Sequence, residues 1–240
     1  MKTITSMFMA FILFGGWIFG AVTSDDYGQT YVIFMNGARA GKEIVTESVA
    51  ENGDRLAQTE NEIYITDGLE TNRMAFTTRL ILDGKTMKPK SYKHRYVSGN
   101  SGDHYEVEAE GSTITRTLTR AGETSVATVE LLPDFVILDL YVYHQYDYLI
   151  PKYDEKKGGR QIFSDFLPVI GDYIQVALTR LGDLNLQSSE GEIKAQEYQV
   201  EFVGLRNGTL MTDDNGRLLQ LVMPDQDLEV VREDLVPANR

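Results

Sequence analysis

From Asn36 to Gly216 the chain is punctuated by short clusters of Gly, Asn and Asp. They fall at Asn36-Gly37, Asn52-Gly53, Asp67-Gly68, Asp83-Gly84, Gly99 to Asp103, Gly111-Ser112, Gly122, Asn207-Gly208 and Asp213 to Gly216. Most of the stretches between them are short runs suited to single strands. A parallel crossover needs a dozen or more residues, usually a helix, so this spacing favours antiparallel pairing of neighbours through hairpins. The Asn-Gly pairs are the strongest hairpin signals, and Asn207-Gly208 reads as a tight turn.

The stretches themselves alternate. Met74, Phe76, Thr78, Leu80 and Leu82 share one face of a strand, with Arg73, Thr77 and Arg79 on the other. Tyr105, Val107 and Ala109 alternate with His104, Glu106, Glu108 and Glu110, and Tyr198, Val200 and Phe202 with Gln199 and Glu201. Each is a half-buried strand. Two stretches are less tidy. Tyr92, His94 and Tyr96 alternate with Lys93 and Arg95, while Ile114 and Leu118 share a face with Arg116 and Arg120. That pattern fits either a sheet edge or a sheet curled around a partly polar cavity.

One segment departs from the grammar. In Asp139 to Ile150, Val142, Tyr146 and Leu149, followed by Tyr153, fall at helical spacing, Asp139 can cap the start and Pro151 stops the run. A helix is expected there, laid across the sheet, with about eight strands before it and five after. The tyrosines 141, 143, 146, 148 and 153 suit either an interface or packing beneath a barrel mouth.

The first residues read as an export signal. Lys2 precedes an apolar run from Met7 to Val22, and no acid appears before Asp25. The run is shorter than the roughly 20 residues of a membrane span, so cleavage near Ser24 is expected rather than anchoring. Residues 1–24 are then a signal peptide and 25–240 a single β-rich domain with no membrane span. Losing the signal removes one lysine and no acid, taking the formal charge from −13 to −14. Such a charge disfavours phosphate backbones, and no nucleic-acid partner is expected. The absence of cysteine excludes disulfides, thiolate nucleophiles and sulfur-ligated zinc, and a disulfide-free exported chain fits a bacterial periplasm.

Signals of catalysis are sparse. No G-x-S-x-G elbow occurs, and His94, His104 and His144 lie in separate elements without metal-ligand spacing. No catalytic residue, metal site or cofactor is assigned. Among the many carboxylates Asp165, in Phe163-Ser164-Asp165-Phe166, stands among apolar residues and is the first candidate for acid/base work, though the favoured reading is an outward polar position on an alternating strand. Gly158-Gly159 follows Lys156-Lys157 but precedes a strand, which rules out a P-loop.

Leu138-Asp139 through His144, Tyr153-Asp154, Lys156 to Gly159 and Phe163 to Pro168 form one group of motifs. Asp214 to Leu219 ahead of Pro224, with Val231-Arg232-Glu233, form another. In these the chain resembles bacterial exported β-rich domains of unknown function, some of which stand ahead of secreted α/β-hydrolases. That layout is similar in turn to the half-barrel of periplasmic lipoprotein carriers, whose curled sheet wraps a helical lid. The resemblance implies an envelope role.

The sequence thus leads to a mainly β fold: an antiparallel meander forming an open or incomplete barrel with one covering α-helix. Its expected role is non-catalytic binding of a lipophilic or amphiphilic molecule, or of an envelope partner protein. The expected ligand face is Phe76, Leu80 and Val107 on the sheet beneath Val142, Tyr146 and Leu149 on the helix. The alternatives are a hydrolase or hydrolase-accessory domain, and a structural envelope protein without ligand.

Overall fold

The computed structural model describes residues 27–67, 70–97, 104–189 and 191–237. The segment read as a signal, 1–24, lies outside the described residues, as do the turn residues Gly68 and Gly99 to Asp103.

The first half of the chain is the expected meander: β1 (Tyr27–Met35), β2 (Ala38–Val49), β3 (Arg55–Asp67) and β4 (Glu70–Leu82). It continues through β5 (Pro89–Tyr96), β6 (His104–Glu110), β7 (Thr113–Arg120) and β8 (Glu123–Glu130). Asn36 and Gly37 both take positive φ, 52° and 75°, in the two-residue turn joining β1 to β2, the left-handed geometry such hairpins need. A two-residue strand, β9 (Val136–Ile137), precedes the segment that crosses the sheet. Then come β10 (Arg160–Leu167), β11 (Asp172–Ser188), β12 (Gly191–Phe202), β13 (Arg206–Thr212), β14 (Leu218–Met223) and β15 (Leu228–Arg232).

All join one sheet in the order β8-β7-β6-β5-β4-β3-β2-β1-β15-β14-β13-β12-β11-β10-β9. The two termini of the meander therefore lie side by side in its middle, and β8 and β9 form its ends. No ladder closes the barrel among the described residues. Side chains bridge the seam instead: Arg116 on β7 donates to the Val169 carbonyl at 2.9 Å, and the Tyr173 hydroxyl donates to the Glu130 carbonyl at 3.2 Å. The same hydroxyl accepts the Leu132 N–H at 2.9 Å.

The alternation read from the sequence sets the two faces. Phe76, Thr78, Leu80 and Leu82 are buried on the inner face of β4 while Arg73, Thr77 and Arg79 are exposed. β5 pairs on both sides, so Tyr92 and His94 are not on an edge; they line the interior, where both are buried.

Two expectations need correction. Asn207-Gly208 is not a turn but part of β13; the β12–β13 turn is Val203 to Leu205, where Gly204 supplies the positive φ of 75°. Gly208 is needed for close approach instead. A Cβ there would lie 2.4 Å from the Val222 carbonyl oxygen and 2.3 Å from Met223 Sδ on β14. Gly208→Ala should therefore cost about 1–3 kcal/mol, as overpacking does, read as a lower midpoint in urea unfolding at unchanged slope. An unchanged midpoint would mean that β13 and β14 part without penalty.

The second correction concerns the helix. Among the described residues only Tyr146–Leu149 is α-helical (α1), followed by a 3-10 turn at Ile150–Lys152 that runs through Pro151 rather than stopping before it. Gln145, not Asp139, stands at the cap position, without a side-chain cap bond. Residues 139–145 are irregular because Tyr141 takes a left-handed φ of 63° and the Asp139 carboxylate is engaged elsewhere. Among the described residues nine strands precede α1 and six follow. Among the described residues no helix is long and apolar enough to cross a membrane.

Candidate functional site

The crossing segment, Phe135 to Tyr153, fills the inside of the sheet, and most of it is buried. An irregular backbone in an interior must find acceptors for its N–H groups. Here carboxylates from the wall supply them. Glu43 on β2 accepts the Tyr143 N–H at 2.9 Å and the His144 N–H at 3.3 Å through Oε2, and its Oε1 lies 2.8 Å from His144 Nδ1. Burial alone would lower the His144 pKa, but the Glu43 carboxylate outweighs it and holds it above the usual value.

One turn on, the Arg217 guanidinium forks onto both oxygens of Glu47 at 2.7 Å and reaches Asp147 at 3.1 Å. Asp147 also accepts the Leu218 N–H at 2.7 Å, and Tyr148 donates to Glu47 at 2.7 Å. Burial works to raise both acids. The forked bond wins at Glu47, which sits below the ordinary range, whereas burial wins at Asp147, pushed up to about 6.

Asp139 is the third anchor. Its Oδ2 accepts the hydroxyls of Tyr92 at 2.6 Å and Tyr105 at 2.5 Å and lies 2.9 Å from His94 Nδ1. Its Oδ1 takes the Leu140 N–H at 2.9 Å. Phe76 stacks on His94 with ring centroids 4.6 Å apart, and Leu80 and Val107 flank Tyr92 in register. These three residues of the expected ligand face, with Leu149, are packed in the core.

Val142 and Tyr146 belong to the same core but also border open space. They line a cavity of about 380 Å³ where the crossing segment meets the hairpin ends of the sheet. Its walls are mostly aliphatic, among them Met35, Ile174, Leu221 and Met223. At its mouth Leu140 and Leu205 are 43% and 72% exposed, two apolar side chains left in water. Arg206 and the tyrosines at 143 and 146 also face it. The volume falls within the roughly 300–1,000 Å³ of small-molecule sites.

Asp165 lies beside this cavity and corrects a further expectation: it points inward and is fully buried. Its same-face neighbour Leu167 and its cross-strand partner Ile174 both line the cavity. Neither carboxyl oxygen has a hydrogen-bond partner among the described residues. Burial pushes its pKa up to about 8, with Lys152 pulling weakly the other way. A second concavity, a groove of about 940 Å³ on the outer face of β2 to β6, is lined by charges of both signs, including Arg79, Arg95 and Glu60. Among the described residues no cluster of His, Cys, Asp or Glu is arranged to hold a metal ion.

No protein-family model matches the chain, and no curated protein sequence does. Among solved structures, a β-barrel-like protein of a domain of unknown function, DUF1849, from Brucella abortus superposes with a TM-score of 0.59. The match covers 88% of this chain and 96% of that one at 10% sequence identity. The two share a fold. At that identity the likeness speaks for the open, barrel-like architecture and carries no residue across.

Sequence reasoning did not reach Glu43, Glu47, Asp147, Arg206 or Arg217. The one available signal was on β2, where Glu43 and Glu47 share a face with Val45.

Proposed function

We propose that the protein is a non-catalytic binding protein that takes a lipophilic or amphiphilic small molecule into the cavity beneath residues 138–146. The observation that carries this reading is the aliphatic cavity of about 380 Å³ with exposed Leu140 and Leu205 at its mouth. The polar networks around Glu43, Glu47 and Asp139 hold the crossing segment in place, so the cavity does not depend on a ligand for its shape. The Lys2 start and the apolar run to Val22 support export, and the resemblance to envelope domains supports a periplasmic setting.

A hydrolase reading has less behind it. The hydroxyls that touch the Asp139–His94 pair belong to Tyr92 and Tyr105, whose pKa values burial raises, so both stay protonated and neither is an activated nucleophile.

A neutral fluorescent apolar probe titrated into the protein should bind saturably. Ile174→Trp, which builds bulk into the cavity from a half-buried position, should weaken it at least about tenfold with an unchanged circular dichroism spectrum. No saturable binding by folded wild type, or equal binding by the variant, would refute the reading.

A further inference from the structure

We infer that the ligand is an anionic amphiphile, its head held by Arg206 with the hydroxyls of Tyr143 and Tyr146 and its apolar tail among the aliphatic walls. This rests on the reading of the cavity as a ligand site and adds the chemistry of the head group.

The polar groups facing the cavity are unequal in kind. Arg206 makes no ion pair among the described residues; its guanidinium lies over the Phe202 ring, 5.5 Å from the centroid. A half-buried cation in a chain of formal charge −13, stacked on an aromatic face and left without a carboxylate, is oriented for an anion from outside. The Tyr143 hydroxyl is buried and has no hydrogen-bond partner among the described residues. Burial, with Glu43 nearby, holds its pKa well above the ordinary value, so it remains a donor. Tyr146, likewise raised by burial, presents a second phenol without a protein partner among the described residues.

The acceptors, by contrast, are occupied. Asp139 lines the cavity, but its two oxygens already accept Tyr92, Tyr105 and the Leu140 N–H. Asp165, the acid beside the cavity, is predominantly protonated at neutral pH. Unpaired donors among buried groups are costly, and a carboxylate or phosphate accepts several charge-assisted bonds at once. A cationic or purely apolar ligand would leave Arg206 and both phenols unanswered.

The test uses the full chain loaded with the neutral probe and displaced by dodecanoate, dodecyl phosphate or dodecanol, which share a tail and differ in head. At least one anionic compound should displace the probe at a concentration at least about tenfold lower than dodecanol does. The stronger of the two assigns a carboxylate or a phosphate head. Arg206→Met should bring acid and alcohol within about threefold of each other while leaving dodecanol unchanged, and Arg206→Lys should restore part of the preference. Tyr143→Phe, which keeps the ring, should lower the preference without altering the fold. Equal displacement by all three compounds overturns the head-group inference and leaves the cavity reading standing. A preference that survives Arg206→Met also overturns it, placing the head elsewhere. Failure of the probe to bind at all removes the cavity reading itself, so the two failures are distinct.

Discussion

Arg217→Met is expected to destabilise the protein by about 3–5 kcal/mol at pH 7, the usual cost of removing one partner of a buried ion cluster. Arg217 is the cation that pairs directly with Glu47 and Asp147, whose side chains are 7% and 2% exposed, and His144 acts on both acids from farther off. It also lies over the Tyr27 ring at 4.5 Å, so its loss removes packing as well as charge. Methionine keeps the aliphatic stem and removes the paired counter-charge of two buried acids. The deficit should depend on pH in a definite direction. In the wild type Glu47 has a lowered pKa, so its contribution is present above the unfolded carboxylate value and is lost as pH falls through the folded one. In the variant Glu47 keeps only the Tyr148 hydroxyl and Asp147 only the Leu218 N–H as direct partners, so burial outweighs what remains and both acids hold protons more tightly than the unfolded chain does. The deficit should therefore be small near pH 4 and grow towards pH 7. Urea unfolding at the two pH values measures it. A loss below about 1 kcal/mol at pH 7, the range of exposed pairs, would show that solvent already screens the cluster.

The split between what was legible in the sequence and what was not has a physical basis. Alternation on β4 is a local property, because each side chain's face follows from its neighbours two residues away, and Phe76, Thr78 and Leu80 fell where the pattern put them. The turns at Asn36-Gly37 and Asp83-Gly84 were legible for the same reason. Asn207-Gly208 misled because the same dipeptide that suits a turn also suits a strand pressed against its neighbour, and only the contact with Val222 and Met223 distinguishes them. The real turn, Val203 to Leu205, hid behind apolar flanks.

The crossing segment failed differently. Its helical spacing was real, yet the backbone of residues 139–145 is set by partners about a hundred positions away on β2, since Glu43 accepts the N–H groups of Tyr143 and His144. Tertiary hydrogen bonds of that kind override a local period and leave no mark on it. Arg206 was invisible because its significance lies in what it does not pair with. That becomes a statement only once the fold has placed the carboxylates of the described residues.

The largest change in pH dependence should come from Asp165→Asn. The Asp165 pKa is about 8 in the folded chain against roughly 3.9 for a free side chain, so the folded state holds this proton more tightly than the unfolded state does. The sign is opposite to that of a paired carboxylate: stability is undiminished below the unfolded pKa, falls as pH rises between the two values and reaches its floor above about 8. Asparagine matches the shape but does not ionise, so this slope disappears. Each variant leaves polar atoms without partners, and that cost is similar for an acid and an amide. The charged group that acts on Asp165 is Lys152, which favours its ionised form, while Tyr146 on α1 feels the Asp165 charge as a neutral phenol. Asp147 and His144 have raised pKa values and also titrate as pH rises, but they do so in both proteins and cancel in the difference. Between pH 5 and pH 8 the stability of Asp165→Asn relative to wild type should thus rise by something on the order of 4 kcal/mol, or three pKa intervals at 1.36 kcal/mol each. Parallel urea titrations across that range would measure it. A constant difference would mean that Asp165 ionises in the fold with partners of its own, and the cavity beside it would then present a negative wall, hostile to the anionic head that Arg206 is placed to receive.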